Sequence, residues 1–254
     1  ASMVLDSSGN VGIGTASPTT QLHIYESITG QVLFGDSGTN LPTMQLYRED
    51  TSIADANPLG VIEWAGKDNT GAVRTAHAKL QVIADGDHAS GDNPTAFAFY
   101  TTPDGSSTMA EAMRIDSAGN VGIGTTSPDT LLEISKDSAD AEATLSTYHD
   151  TDATTSKLTL RKANGSEASP TKVNEPDVLG TISFQGYNDQ SSTFEEGARI
   201  SSIIAASPSD ASGDMASAIH FWTAPSASAT VAKRMSIMHS GNVGIGAEPQ
   251  GSFT

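Results

Sequence analysis

The chain of 254 residues contains no cysteine, which removes disulfides, thiolate metal sites and a Cys nucleophile together. That absence does not fix a compartment, because a protein outside the cell can use other staples, oligomerisation among them. Long apolar runs are missing too, and no stretch reaches the 18 residues that a membrane-spanning helix needs. Ala1-Ser2-Met3 opens without a basic region and apolar core, so it does not read as a secretory signal; the chain is expected to be a cut-out fragment. Basic residues are few: 13 Lys and Arg stand against 30 Asp and Glu, for a formal net charge of -17. A body of that sign repels nucleic acid and anionic membrane surfaces at long range. The charge serves either the solubility of an exposed body or, as a sharper alternative, cation binding. Helical periodicity is also lacking, and Thr108 to Ala112 is the nearest thing to a helical turn. What remains is rich in Gly, Ser, Thr, Ala and Asp, which favour turns and short strands, and an all-β protein follows.

The sequence repeats. Gly9-Asn10-Val11-Gly12-Ile13-Gly14 recurs as Gly119-Asn120-Val121-Gly122-Ile123-Gly124 and again as Gly241-Asn242-Val243-Gly244-Ile245-Gly246. The first two copies share their flanks: Leu5-Asp6-Ser7 matches Ile115-Asp116-Ser117, Ser17-Pro18 matches Ser127-Pro128, and Leu22-His23-Ile24 matches Leu132-Glu133-Ile134. The third departs, with Met238 and His239 before the turn and Ala247 after it. Between motifs, Leu59 to Gly66 matches Leu179 to Gly186, Ala78-Lys79-Leu80 matches Ala198-Arg199-Ile200, and Phe97 to Thr101 matches Ile219 to Thr223. The length difference accumulates near Lys162 to Lys172, where Gly165, Ser166, Ser169 and Pro170 mark an enlarged loop. The organisation predicted is a first module at 1–115, a second at 116–237 and the start of a third at 238–254.

Each module reads as short antiparallel strands in a sandwich- or prism-like arrangement. Ile62 and Trp64 alternate with Val61, Glu63 and Ala65, as Ile182 and Phe184 alternate with Thr181, Ser183 and Gln185. Phe97, Phe99 and Thr101, and likewise Ile219, Phe221 and Thr223, fall on one strand face. In the motif, Gly-Asn reads as a turn, since both residues tolerate positive φ. The β-branched pair takes one strand face and glycine takes the other. A bare glycine face admits another backbone closely, and a second copy of the same segment is the partner expected. A phosphate loop is the competing reading; no helix signal follows the glycines and no Gly-Lys-Ser/Thr is present.

The string from Met113 to Pro128 resembles a repeat of bacteriophage tail fibres and tailspikes, also found in large bacterial surface proteins. The resemblance is close over 113–134, good over 5–24 and partial over 235–249. It implies an elongated, β-rich, intertwined homotrimer, a shaft or adhesion module whose receptor-binding and chaperone parts lie elsewhere. Location in a virion or outside the cell, contact with other fibre or virion proteins, and a host-surface glycan or protein receptor are implied with it. A trimer would carry three times the charge of -17, so apolar burial has to offset the repulsion.

Other chemistry is thin. No cofactor is implied, and no enzyme is expected. Six histidines are scattered without a His-x-His or His-x3-His pair; His239, beside a glycine motif, is the candidate for a metal on a threefold axis. The loop with Asp85, Asp87 and Asp92, and its counterpart from Asp210 to Asp214, offers oxygens for calcium without the spacing of an EF-hand. Carboxylate pairs drawn from Glu63, Asp189, Glu195 and Glu196 carry no information without geometry, and no Gly-x-Ser-x-Gly elbow occurs. Trp64, Trp222, Tyr100 and Tyr187 suit sugar stacking, with Trp64 and Trp222 expected in the core instead. The alternatives to a fibre module are therefore a carbohydrate-binding or polysaccharide-degrading tailspike module, and a capsid-decorating or bacterial surface protein.

Overall fold

A computed structural model describes residues 3–24, 46, 48–50, 52–66, 75–150, 154–206, 215–226 and 230–246. The chain divides into two compact units, 1–143 and 144–254. Every regular element among the described residues is a strand.

In the first unit, β1 (Met3–Leu5), β2 (Val11–Ile13) and β3 (Leu22–Ile24) form a three-stranded sheet. A six-stranded sheet follows in chain order: β4 (Pro58–Gly66), β5 (Thr75–Ala84), β6 (Thr95–Thr101), β7 (Ala110–Ile115), β8 (Val121–Ile123) and β9 (Leu132–Ile134). In the second unit β10 (Asn164–Ser166) pairs with β11 (Ser169–Thr171). The enlarged loop of the sequence is thus a small hairpin. A five-stranded meander completes the unit: β12 (Val178–Asn188), β13 (Thr193–Ile204), β14 (Ser217–Thr223), β15 (Ala232–Ile237) and β16 (Val243–Ile245). Both large sheets carry register shifts at the same three places: before Gly60 and Gly180, after Trp64 and Phe184, and after Phe99 and Phe221. Bulges kept at matching points of two diverged repeats are built-in features of the strands.

Residues 110–112 lie in β7, where Glu111 pairs with Tyr100 and Ala110 with Thr101; the ladder overrides the helical preference of alanine. Two neighbours are parallel, β2 with β3 and β8 with β9, which an alternation pattern does not reveal. Strands of three residues make this cheap, since an eight-residue return spans them. Hydrogen bonding joins the second motif, in β8, to β7 and the third, in β16, to β15, so the lines at 115 and 237 run between paired strands.

The larger surprise is which face is inside. Alternation in β6 is as expected, but Ala96 and Ala98 are fully buried while Phe97 and Phe99 are 49% and 38% exposed. In β14, Ala218 and His220 are buried and Ile219 is exposed. Trp64, expected in the core, is 58% exposed, and Ile62, Ile182 and Phe184 are exposed with it. Among the described residues each large sheet is a single layer, with strands packed only against their neighbours in the ladder. Small residues on one face are carpeted by long polar neighbours, and the large apolar face is left to solvent.

Candidate functional site

Register turns this exposure into geometry, because directly opposed residues share a face. Ile62, Leu80, Phe99, Met113, Ile123 and Ile134 form one unbroken row across all six strands. Beside it runs a second row of Gly60, Val82, Phe97, Ile115, Val121 and Leu132. The second unit repeats both rows, as Ile182, Ile200, Phe221, Met235 and Ile245, and as Gly180, Ser202, Ile219, Ile237 and Val243. The short first sheet does the same with Met3, Ile13 and Ile24, and with Leu5, Val11 and Leu22. Contiguous apolar surface on this scale marks an interaction site. Each large sheet adds an apolar hollow at its glycine: about 300 Å³ in the first unit, where Leu46 leans on Gly60, and about 270 Å³ in the second, where Leu160 leans on Gly180. Leu46 and Leu160 went unnoticed in sequence, because the hairpin insertion puts them out of the phase that relates Gly60 to Gly180.

The glycine motifs behave differently from expectation. The side facing away from the apolar rows is closed by the chain itself. A Cβ on Gly12 would lie 2.6 Å from the Thr15 carbonyl oxygen, and one on Gly122 would lie 2.8 Å from that of Thr125. Buried Pro18 and Pro128 complete each cover. Close backbone approach is real, but its partner is the following turn. Gly14, Gly124 and Gly246 have positive φ, and a Cβ on Gly124 would strike the Ser135 carbonyl. Val11, Ile13, Val121, Ile123, Val243 and Ile245 supply the apolar rows instead.

The turn before each motif is a four-residue loop closed by Gly9, Gly119 or Gly241 at positive φ. The carbonyls of Asp6, Asp116 and Met238 accept from those glycines at 3.2, 3.1 and 2.8 Å. Asn10, Asn120 and Asn242 do not share the positive φ expected of them; their carbonyls accept the N–H of the residue that opens each turn. The Asp6 carboxylate accepts from the N–H groups of Ser8 and Asn10 and from the Asn10 amide, and Asp116 repeats the last two bonds with Asn120. The Asn10 N–H, partly offset by desolvation, holds Asp6 below the ordinary carboxylate range. Met238 keeps the backbone of this turn without the carboxylate.

On the polar face, Lys79 stacks on Tyr100 at 4.1 Å and Arg199 on Trp222 at 4.4 Å. The repeat alignment carried that signal, since cation and aromatic are kept together. Trp222 also donates to Ser201 Oγ at 3.1 Å. His220 is buried against it, and burial together with Lys233 lowers its pKa.

The remaining candidates do not converge. Asp85 is half-buried and accepts from the Ser117 N–H at 2.9 Å, with Arg114 at 3.7 Å. Burial alone would raise its pKa; the Ser117 hydrogen bonds and Arg114 outweigh it, and the carboxyl sits below the ordinary range. Asp87 accepts from the Asp55 N–H, Asp92 is exposed in a bridge with Ala89, and His239 is exposed. Among the described residues no three His, Asp or Glu side chains come together. The counterpart loop from Asp210 to Asp214 lies outside the described residues. Glu195 and Glu196 are tied to Asn188, Ser191, Ser183 and Arg199, and His23 and Glu133 each accept the N–H four residues earlier.

Single-layer sheets, repeated in tandem and apolar on one face, define a fibre-type β fold. Among solved structures the chain is similar to the carboxy-terminal domain of the bacteriophage T5 L-shaped tail fibre. With that domain's intra-molecular chaperone present, the TM-score is 0.72 at 15% identity, covering 88% of this chain and 64% of that one. With the domain alone it is 0.70 at 13% identity, covering 89% and 93%. The chain thus spans under two thirds of the chaperone-bearing structure and nearly all of the other. No family model matches the chain, and no curated protein matches it in sequence.

Proposed function

We propose that this chain is a non-enzymatic structural module of a bacteriophage tail fibre, assembled as a homotrimer and supporting attachment to a host surface from the virion. The observation that carries this reading is the apolar row crossing every strand of each large sheet, with a second, partly apolar row beside it. A layer that buries alanine and exposes Phe97, Phe99, Ile182 and Phe184 is half of a core. The complementary half is supplied most economically by identical copies under closed symmetry, and the tail-fibre fold is consistent with that. Apolar burial on this scale also offsets the mutual repulsion of chains carrying -17 each. Other fibre proteins would join at the ends of such a module.

Light scattering on purified protein is the test. A mass three times the 26.2 kDa of the chain is expected, independent of concentration in the micromolar range. A single-chain mass would overturn the reading. A glycan-contacting role has one observation in its favour: Tyr187 and Phe194, 61% and 65% exposed, make an edge-to-face pair at 5.5 Å beside Asn188 and Glu195. Binding on a glycan array that Tyr187→Ala abolishes would support it, and an empty array would remove it.

A further inference from the structure

Residues 144–150 and 154–163, which precede β10, form no strand, and their described side chains are exposed. Leu145 is 60%, Tyr148 93%, Leu158 73% and Leu160 50% exposed. No backbone hydrogen bond joins 145–148 or 155–162 to any other described residue. The two arms touch within the chain, where Thr147 Oγ1 and Ser156 Oγ lie 3.0 Å apart. Backbone at 145–148 and 155–162 that pairs with no described residue, next to exposed apolar side chains, is what an edge strand offers to another chain.

The two arms complement each other in one antiparallel register, the one in which Thr147 stands opposite Ser156. Leu145 then meets Leu158, Thr144 meets Thr159, and Glu142, just ahead of the first arm, meets Arg161. These are three favourable cross-strand pairings: aliphatic, β-branched and oppositely charged. The charges are segregated to match. Asp140, Glu142 and Asp150 lie along or just ahead of the first arm, while Lys157 and Arg161 fall on the second, where Lys162 is held by Asp177 of the same unit. Yet one chain does not form this ladder with itself.

We infer that the first arm of one copy pairs as a β-strand with the second arm of the next copy. In the trimer of the proposed function this pairing runs head to tail from each copy to the next, and the ring of three closes with every arm used. Leu160 fits this, because it already rests on Gly180 at the rim of the apolar hollow, making the second arm continuous with the exposed sheet face. The inference rests on the trimeric reading and goes beyond it in naming strands that cross between chains.

The absence of cysteine makes the test clean. In the variant Thr144→Cys with Thr159→Cys, the leucines stay in place and the new thiols face each other across the register. Mild oxidation should give covalent dimers and trimers on a non-reducing gel. Hydrogen exchange on the parent protein should show the amides of 145–148 and 156–162 protected in the assembled state. Intrachain disulfide alone, or arms that exchange freely while β5 and β13 stay protected, overturns the arm pairing. Light scattering on the same reduced sample separates the two readings: a three-chain mass without cross-links leaves the trimer standing and removes the arms, whereas a single-chain mass removes both.

Discussion

Replacing Gly122 by alanine probes whether the bare face of the glycine motif is closed by its own chain. The new Cβ would lie 2.8 Å from the Thr125 carbonyl oxygen, 3.1 Å from Thr125 Cγ2 and 3.4 Å from Pro128 Cγ. The first contact is with backbone, so the turn has to move by a few tenths of an ångström, and overpacking of this kind costs about 1–3 kcal/mol. Alanine also restricts the unfolded chain, which returns about 0.4–1 kcal/mol. The net expectation is a loss of about 1–2 kcal/mol, or roughly 2–8 °C in Tm for a unit of this size. Gly186→Ala is the control, since a Cβ there meets nothing within 4 Å and φ is ordinary; it should be neutral or slightly stabilising. Circular dichroism melts at two protein concentrations tenfold apart form the assay. If the glycine faces its own chain, the Gly122→Ala shift is the same at both concentrations. A variant that melts like the parent, yet loses assembly on dilution, would show instead that the glycine face receives another chain.

Three further outcomes follow from the same structure. Asp116→Ala removes two hydrogen bonds to Asn120, at 2.7 and 3.1 Å, and should cost about 1–2 kcal/mol in a urea melt, while Met238→Asp should recover part of that at the third turn. Phe99→Asp and Phe221→Asp place a charge in the middle of an apolar row; each should reduce the light-scattering mass toward one chain with strand content retained in circular dichroism. Asp177 is held down to about 2 by Lys162 at 2.6 Å, then by the Asn174 N–H and the Asn164 amide. A depressed carboxylate contributes stability that is present above its ordinary value of 3.8 and is lost as pH falls through the folded value. Asp177→Asn should therefore flatten the acid melt between about pH 4 and pH 2 and leave its slope near neutrality unchanged.

The repeat, the all-β class and the positions of the main strands were legible because each is a local property. Alternation at Phe97 and Phe99, or at Ile182 and Phe184, reports two faces, and turn chemistry at Gly9 and Gly119 reports where strands end. Which face is covered is not local. Ala98 is buried because Tyr100 and its long neighbours lie over it, and Phe99 is exposed because no second layer among the described residues covers it. The same applies to the glycines. A bare strand face calls for a close neighbour, but the sequence of Gly12 does not say whether that neighbour is Thr15 of the same chain or another copy. Trp64 was misplaced for this reason, its size suiting it to a core that one chain does not complete. The parallel pairing of β8 with β9 and the hairpin of β10 and β11 depend on three-residue strands, too short to show a period.

Trp64 gives the most direct test of the central claim, that the exposed apolar face is buried between chains. It lies on that face, two residues beyond Ile62, and is 58% exposed in the single chain. In a Trp222→Phe background it is the sole indole, and acrylamide quenching of its fluorescence reads its solvent access. Blue-shifted emission and strong shielding are expected at concentrations where the protein is assembled, with quenching rising as it dissociates. Trp64 quenched as freely as an exposed indole in a protein of three-chain mass would contradict it.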